Sequence, residues 1–197
     1  MIYTFGKHAK LSGIALAAVA AFTALGSGTA QAASFATADI SINSVGFIDA
    51  SFKETGLAPG AEVDYTSGAT DVGWMTQCFI KNKPVANIAP KLHVAHAADG
   101  LTTDRTLVAS NRGTITGSIL TAYPTAEEND LVPPLCPEVE GVTMTEEITA
   151  IRWCNASLTD ATNNITASEA SLFLQIKRNG SSAVPECGSL ATLPTDY

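Results

Sequence analysis

Few side chains in this sequence have the chemistry that catalysis or metal binding requires, and His93 and His96 are two of them. Three positions apart on a helix, two histidines share a face and can hold one metal ion. Leu92 and Val94 alternate as in a strand, however, and positions 93 and 96 of a strand point to opposite faces. We therefore expect two unrelated surface histidines, with no metal site. The sequence also has no G-x-S-x-G motif that could present a hydrolase nucleophile.

Four cysteines, Cys78, Cys136, Cys154 and Cys187, form the second group of reactive side chains. None of them belongs to a C-x-x-C motif, which argues against a zinc site or a thioredoxin-type redox centre. An even number of cysteines in an exported chain indicates two disulfides. Three pairings are possible. We favour Cys78–Cys136 together with Cys154–Cys187, because each bond closes a long loop and removes chain entropy from the unfolded state.

Carboxylates are concentrated in the proline-rich stretch 124–141 and just after it. They are Glu127, Glu128, Asp130, Glu138, Glu140, Glu146 and Glu147. Several carboxylates can bind Ca²⁺, and two at the right separation can hydrolyse a glycosidic bond. The sequence has no D-x-D-x-D-G spacing that would fix a calcium site. We therefore expect residues 127–140 to form a solvated acidic loop, and we assign no catalytic residue and no cofactor.

Aromatic side chains are scarce. Four of them could stack on sugar rings: Tyr65, Trp74, Tyr123 and Trp153. Trp74 lies close to Cys78 in the chain, and a tryptophan beside an inter-sheet disulfide is a common core arrangement. We therefore expect Trp74 in the core. Trp153 and Tyr123 stay as the candidates for ligand-facing aromatics.

The N-terminal 32 residues have the three parts of a cleavable signal peptide. The basic region contains Lys7, His8 and Lys10, and residues 11–25 are apolar and uncharged. Ala30-Gln31-Ala32 supplies the small residues of a cleavage site. The apolar run is shorter than the ~20 residues that span a bilayer. We expect cleavage after Ala32, no membrane anchor, and a single mature domain over 33–197. That domain would be secreted, or periplasmic if the source is Gram-negative.

The formal net charge of the chain is −8, and cleavage would remove two lysines and no acidic residue, giving −10. An acidic protein has no electrostatic reason to bind nucleic acid or an anionic membrane. The partner that we expect is an extracellular protein or a glycan.

A two-residue period runs through nearly all of the mature chain. Ile48, Ala50 and Phe52 share one parity, and residues 115–121 and 172–176 alternate in the same way. The parity breaks near 43–46, which indicates a bulge or short turn. With turn residues every eight to twelve positions, the pattern is typical of an all-β fold. We predict an immunoglobulin-like antiparallel sandwich of two sheets with two disulfides; a small barrel is the alternative.

Residues 46–165 contain a series of motifs in a recognisable order. The motifs are Phe52-Lys53-Glu54-Thr55-Gly56-Leu57, Val63-Asp64-Tyr65-Thr66, Gln77-Cys78-Phe79, Gly113-Thr114-Ile115-Thr116-Gly117-Ser118-Ile119, Leu135-Cys136-Pro137 and a strand with a polar turn from Trp153 to Asn164. This series resembles a family of small secreted β-sandwich proteins of unknown function, found largely in actinobacteria. The resemblance implies a two-sheet sandwich and supports the Cys78–Cys136 pairing. It implies no activity.

These observations favour an exported, non-enzymatic sandwich with a binding or structural role outside the cell or at its surface. A carbohydrate-binding module acting alone is the main alternative, and it requires exposed aromatics. A small glycan hydrolase with paired carboxylates is the third hypothesis, and it requires two facing carboxylates in a cleft.

Overall fold

The computed structural model describes residues 32–124 and 136–195. The predicted signal peptide up to Gln31, and the acidic side chains of Glu127, Glu128 and Asp130, lie outside the described residues. The strands are β1 (Ser34–Ile42), β2 (Ile48–Thr55), β3 (Glu62–Gly68), β4 (Asp71–Ile80), β5 (Lys83–Pro84), β6 (Lys91–His96), β7 (Thr102–Val108), β8 (Ile115–Thr121), β9 (Thr145–Asp160) and β10 (Ile165–Gln175). The helical segments within the described residues are a 3₁₀ turn at Ala97–Asp99 and the short α1 at Cys187–Leu190.

The strands form two sheets in which all pairings are antiparallel. The first sheet has the order β1-β2-β8. The second has the order β5-β4-β9-β3-β7, with β6 also on β4 and β10 on β9. This architecture confirms the predicted all-β sandwich of two sheets. Among the described strands, β7 and β8 each pair on one side only. Arg105 of β7 donates to the Ser118 carbonyl of β8, so the two sheets end at the same side of the sandwich.

The long strand β9 organises the second sheet. It pairs with β4 along its first part and with β3 along its second, while β10 lies on its other side. Asn155, at φ +50°, separates the two parts. Ile151 and Trp153 pack into the core before this residue, and Ala156 and Leu158 do so after it. The left-handed residue therefore changes which parity of β9 faces the core.

Strand β2 shows how the alternating pattern fills the space between the sheets. Ile48, Ala50 and Phe52 are buried, whereas the residues between them face outward, as their shared parity predicts. The predicted break before β2 is a turn in which the Asn43 side chain accepts hydrogen bonds from the backbone N–H groups of Val45 and Phe47. The alternation in the sequence thus predicted which side chains of β2 face the core.

The outer face of the second sheet is covered by residues 181–195, which we call the C-terminal strap. Val184 and Leu190 of the strap pack on Met75, Val94 and Ala150. A Cβ atom at Gly73 would lie 2.6 Å from a methyl group of Leu190, so β4 needs glycine where this leucine enters. Strand β9 is consequently apolar on both faces, which explains why its sequence does not alternate cleanly.

Both disulfides of the preferred pairing are present. Cys78 of β4 is bonded to Cys136, which lies in the connection leading to β9. Cys154 of β9 is bonded to Cys187 of the strap. Neither bond joins a strand of one sheet to a strand of the other, unlike the immunoglobulin arrangement. Each disulfide instead links a segment outside the strands to a strand of the second sheet. Within the described residues, the helices are too short and too polar to cross a bilayer.

Candidate functional site

His93 lies inside the sandwich, so its prediction as a surface histidine is wrong. Its ring stacks on Trp74 at a centroid distance of 5.3 Å, and Nε2 lies 3.0 Å from the Thr76 hydroxyl. Only 4% of the residue is exposed. The reason is register: His93 is the direct cross-strand partner of Trp74, whose side chain belongs to the core. His93 therefore contributes to packing.

His96 lies on the opposite face of β6, as the strand pattern predicts. Its Nδ1 is 2.6 Å from Asp71 Oδ1, and its Nε2 is 2.8 Å from the Leu193 carbonyl oxygen. Asp71 also accepts a hydrogen bond from Thr70, so both of its oxygens act as acceptors. Two acceptors are best served by two donors, so this geometry favours the protonated imidazolium over the neutral ring. The hydrogen bond to Asp71 raises the pKa of His96, and the bond to Leu193 adds to that effect.

We call His96, Asp71 and Leu193 the His96 clamp. An aspartate–histidine pair is two thirds of a hydrolase triad, but the third partner here is a backbone carbonyl, which cannot act as a nucleophile. Asp99 accepts a further bond from the His96 backbone N–H at 2.7 Å and one from the Thr195 hydroxyl at 3.1 Å. These hydrogen bonds hold the end of the strap against β4 and β6, so the His96 clamp has a structural role.

A second titratable group lies between the sheets. The Tyr65 hydroxyl donates to Glu54 Oε2 at 2.6 Å, and Asp160 is the cross-strand partner of Tyr65. All three residues are at most 1% exposed. We call them the buried acid cluster. Burial raises the pKa of Glu54 to about 7, the nearby Asp160 raises it further, and the Tyr65 hydrogen bond opposes both effects.

The buried acid cluster differs from the carboxylate pair that a glycan hydrolase needs. Asp160 uses its two oxygens to accept bonds from the backbone and side-chain amides of Asn163. Glu54 has no exposed surface, so a sugar could not reach it without opening the sandwich. Burial and Glu54 also raise the pKa of the Tyr65 hydroxyl. The cluster holds β2, β3 and β9 together rather than facing a cleft.

The expectation that Trp153 faces a ligand is wrong. Its side chain has no exposed surface, and its indole N–H donates to the Gly46 carbonyl at 2.8 Å. Trp153 shares the core-facing parity of Ile151, and the opposite face of β9 at Ala150 is covered by the strap. Tyr123 is half-buried between Phe47 and Trp74, with both ring centroids 5.5 Å away. Trp74 is in the core, as expected. The described tryptophans thus offer no row for sugar stacking.

The acidic side chains that are described near the predicted loop do not converge. Glu138 and Glu140 are exposed, and Glu147 forms an ion pair with Lys177 that lowers its pKa. Glu146 lies 4.0 Å from His93 Nε2. Within residues 32–124 and 136–195, no three histidine, cysteine or carboxylate side chains are grouped as metal ligands.

The most distinctive surface feature is a concavity of about 610 Å³ that contains two cationic side chains. It is lined by Lys53, Ser110, Asn111, Arg112, Thr114 and Thr116. We call it the Lys53–Arg112 concavity. Lys53 points outward from β2, beside Thr116 of β8. Arg112 lies in the turn between β7 and β8. Neither cation has an ion-pair partner among the described residues, and no acidic side chain lines the concavity.

The turn that carries Arg112 is held by several hydrogen bonds. The Ser110 hydroxyl accepts the backbone N–H groups of Arg112 and Thr114, both at 3.3 Å. Gly113 has φ +66°, and a Cβ there would lie 2.1 Å from the Leu57 carbonyl oxygen. The Leu57 N–H in turn donates to the Gly113 carbonyl. Arg112 is therefore presented from a fixed backbone rather than from a loose loop.

Sequence reasoning missed both the concavity and the buried acid cluster. Glu54 shares the parity of Ile48, Ala50 and Phe52, and this signal alone would have placed it inside. The sequence gives a weaker indication of the concavity, because Lys53 and Arg112 are far apart in the chain. The pairing of β2 with β8 brings them to one surface.

Comparison of the chain with protein-family models, curated proteins and solved structures finds no match.

Proposed function

We propose that this chain is an exported, non-catalytic β-sandwich that binds or supports a partner outside the cytoplasm. The observation that carries the proposal is that the reactive side chains are already engaged in contacts that stabilise the fold. All four cysteines are in disulfides, the Glu54 and Asp160 carboxyls are sealed from solvent, and both ring nitrogens of His96 are engaged. These groups hold the fold, whereas the Lys53–Arg112 concavity leaves two charges available to a ligand.

Export is supported by the disulfides together with the predicted signal peptide. Disulfides persist in oxidising compartments and are rare in the cytosol. The buried position of Cys78 and Cys154 suits permanent crosslinks, which stabilise the fold by restricting the unfolded chain. The resemblance to secreted sandwich proteins, which covers residues 46–165, points in the same direction.

The test is expression of the full-length chain in its source organism, followed by fractionation and N-terminal sequencing. We expect a mature chain that begins at Ala33, outside the cytoplasm, with Cys78–Cys136 and Cys154–Cys187 in a non-reducing peptide map. An unprocessed cytosolic chain with reduced thiols would contradict the proposal.

The proposal that the protein is not a catalyst has a separate test. Purified mature protein is assayed on a panel of glycans and esters, and we expect no turnover. Turnover that is lost in Glu54→Gln and kept in Glu62→Gln, an exposed glutamate on β3, would contradict this part of the proposal. It would mean that the sandwich opens far enough to admit substrate to the buried acid cluster.

A further inference from the structure

The Lys53–Arg112 concavity is positively charged, although the chain as a whole has a net negative charge. The chain has 19 acidic and 11 basic residues, yet among the described residues two basic side chains and no acidic one line this concavity. Elsewhere, Arg152 is paired with Glu186, and Lys177 with Glu147. Two cations without such partners on one small surface repel each other, and an anion placed between them removes that repulsion.

The remaining lining groups indicate what kind of anion fits. Ser110, Asn111, Thr114 and Thr116 supply hydroxyl and amide groups that both donate and accept hydrogen bonds. Sugar hydroxyls need partners of this kind, whereas a bare inorganic anion needs donors alone. The guanidinium of Arg112 has the fork geometry that pairs with a carboxylate through two bonds.

The concavity continues along the side of the sandwich where both sheets end. A neighbouring depression of about 390 Å³ shares Ser110, Thr114 and Thr116 and extends to Leu107 and Val108. Val108 is 61% exposed and offers an apolar contact for the C–H face of a sugar ring. The two depressions together have room for more than one sugar unit.

We propose that the Lys53–Arg112 concavity binds a carboxylate-bearing oligosaccharide, with Lys53 and Arg112 on the carboxylate and the serine, asparagine and threonine side chains on the ring hydroxyls. This inference rests on the proposed function and gives that binding role a ligand class. Trp74 and Trp153 are buried and cannot stack on a sugar ring. Recognition in this proposal instead uses charged and hydroxyl groups.

The test is calorimetric titration of the mature, disulfide-bonded protein with trigalacturonate, a probe that carries a carboxylate on each sugar. Its methyl ester is the matched ligand control, because it has the same sugars without the charge. We expect trigalacturonate to bind, the ester to bind at least about tenfold more weakly, and Lys53→Gln with Arg112→Gln to weaken binding to a similar degree.

The matched protein control is Lys81→Gln with Lys83→Gln, two exposed lysines at the β4–β5 turn. This variant removes the same charge, so a long-range electrostatic effect would weaken binding equally in both. We expect the control to bind within about twofold of the wild type. Both variants change exposed side chains, and unchanged thermal unfolding would show that they fold.

Four outcomes would overturn the inference. They are no binding of trigalacturonate, equal binding of its ester, equal loss in the Lys81/Lys83 control, and equally tight binding of a triglutamate peptide, which would make the site a peptide site. Each of these leaves processing and export unaffected. An unprocessed cytosolic chain would instead sink the proposed function, so the two failures are distinguishable.

Discussion

The His96 clamp and the buried acid cluster lie on opposite faces of the second sheet, and both contain a group whose pKa is raised. In the clamp the cause is attraction, because Asp71 favours the charged imidazolium. In the cluster the main cause is burial, which disfavours the charged carboxylate of Glu54. The same direction of shift therefore arises from favourable contacts at one place and from lost hydration at the other.

This difference has a consequence for stability. Both groups bind protons more tightly in the folded state, so both contribute stability that is lost as the pH rises. A neutral replacement acts oppositely at the two places, however. It removes a favourable ion pair from the clamp, but it removes the cost of a buried charge from the cluster.

Removal of the Cys154–Cys187 disulfide should have the largest effect. The bond spans 33 residues, and the Cys154→Ala/Cys187→Ala variant should lose about 4 kcal/mol of unfolding free energy in the chain-entropy model. Urea unfolding measures the loss. The pH dependence from the buried acid cluster should survive, since that cluster lies on the other face. A loss below about 1 kcal/mol would show that the strap is held mainly by its other contacts.

The contact between Leu190 and Gly73 should be the next in size. Leu190→Ala removes a fully buried side chain and should cost roughly 3 to 4 kcal/mol. Gly73→Ala places a methyl group against Leu190 and should cost about 1 to 3 kcal/mol. In the double variant the new methyl fills part of the space left by the leucine, so the combined loss should be smaller than the sum. Additive losses would contradict the packing described here.

Glu54→Gln should stabilise the protein above neutral pH. Burial raises the pKa of the folded carboxyl from its ordinary value of 4.5 to about 7. The wild type therefore loses about 3 kcal/mol between pH 4 and pH 8.5 from this group. Glutamine cannot ionise, and it can still accept the Tyr65 hydrogen bond. The variant should match the wild type near pH 4 and exceed it by about 3 kcal/mol at pH 8.5.

Chemical unfolding at a series of pH values checks this prediction. Glu62→Gln, on the exposed face of β3, is the control and should change stability by less than about 0.5 kcal/mol at each pH. A constant difference between Glu54→Gln and the wild type at all pH values would show that Glu54 does not titrate in this range.

The sequence predicted the parts of the structure that depend on local alternation. It placed Ile48, Ala50 and Phe52 in the core, put His93 and His96 on opposite faces, and favoured the observed disulfides. It failed for Trp153, because both faces of β9 are covered there: Trp153 faces the core with Ile151, while Ala150 faces the strap. The register shift of β9 between Ile148 and Ala150 also breaks the alternation, and no local pattern marks it.

The candidate site was less predictable than the fold. Lys53 and Arg112 come together through the pairing of β2 with β8, a contact between residues that are distant in the chain. Asp160 reaches Tyr65 in the same way, through the pairing of β3 with β9. Long-range pairing of this kind leaves no mark in the periodicity of either strand. Glu54 was the exception, since its parity already pointed inward.

The smallest expected effect tests the clamp itself. His96→Gln removes the imidazolium that bridges Asp71 and the strap, and the side chain of His96 is partly exposed, so the loss should be about 1 kcal/mol at pH 5.5. The pKa of His96 is raised, so this contribution is complete below the unfolded value of 6.5 and fades as the pH rises above it. The variant and the wild type should therefore converge as the pH rises through the folded pKa of His96.

Asp71→Asn gives the matched second variant, and the double variant should be no worse than either single one, because all three lack the same ion pair. Additive losses would show that His96 and Asp71 act separately. If the loss of unfolding free energy in His96→Gln grew toward high pH, the pKa of His96 would be lowered by folding and not raised. Opposite responses to neutral replacement at His96 and at Glu54 would establish that attraction and burial, respectively, raise the two pKa values.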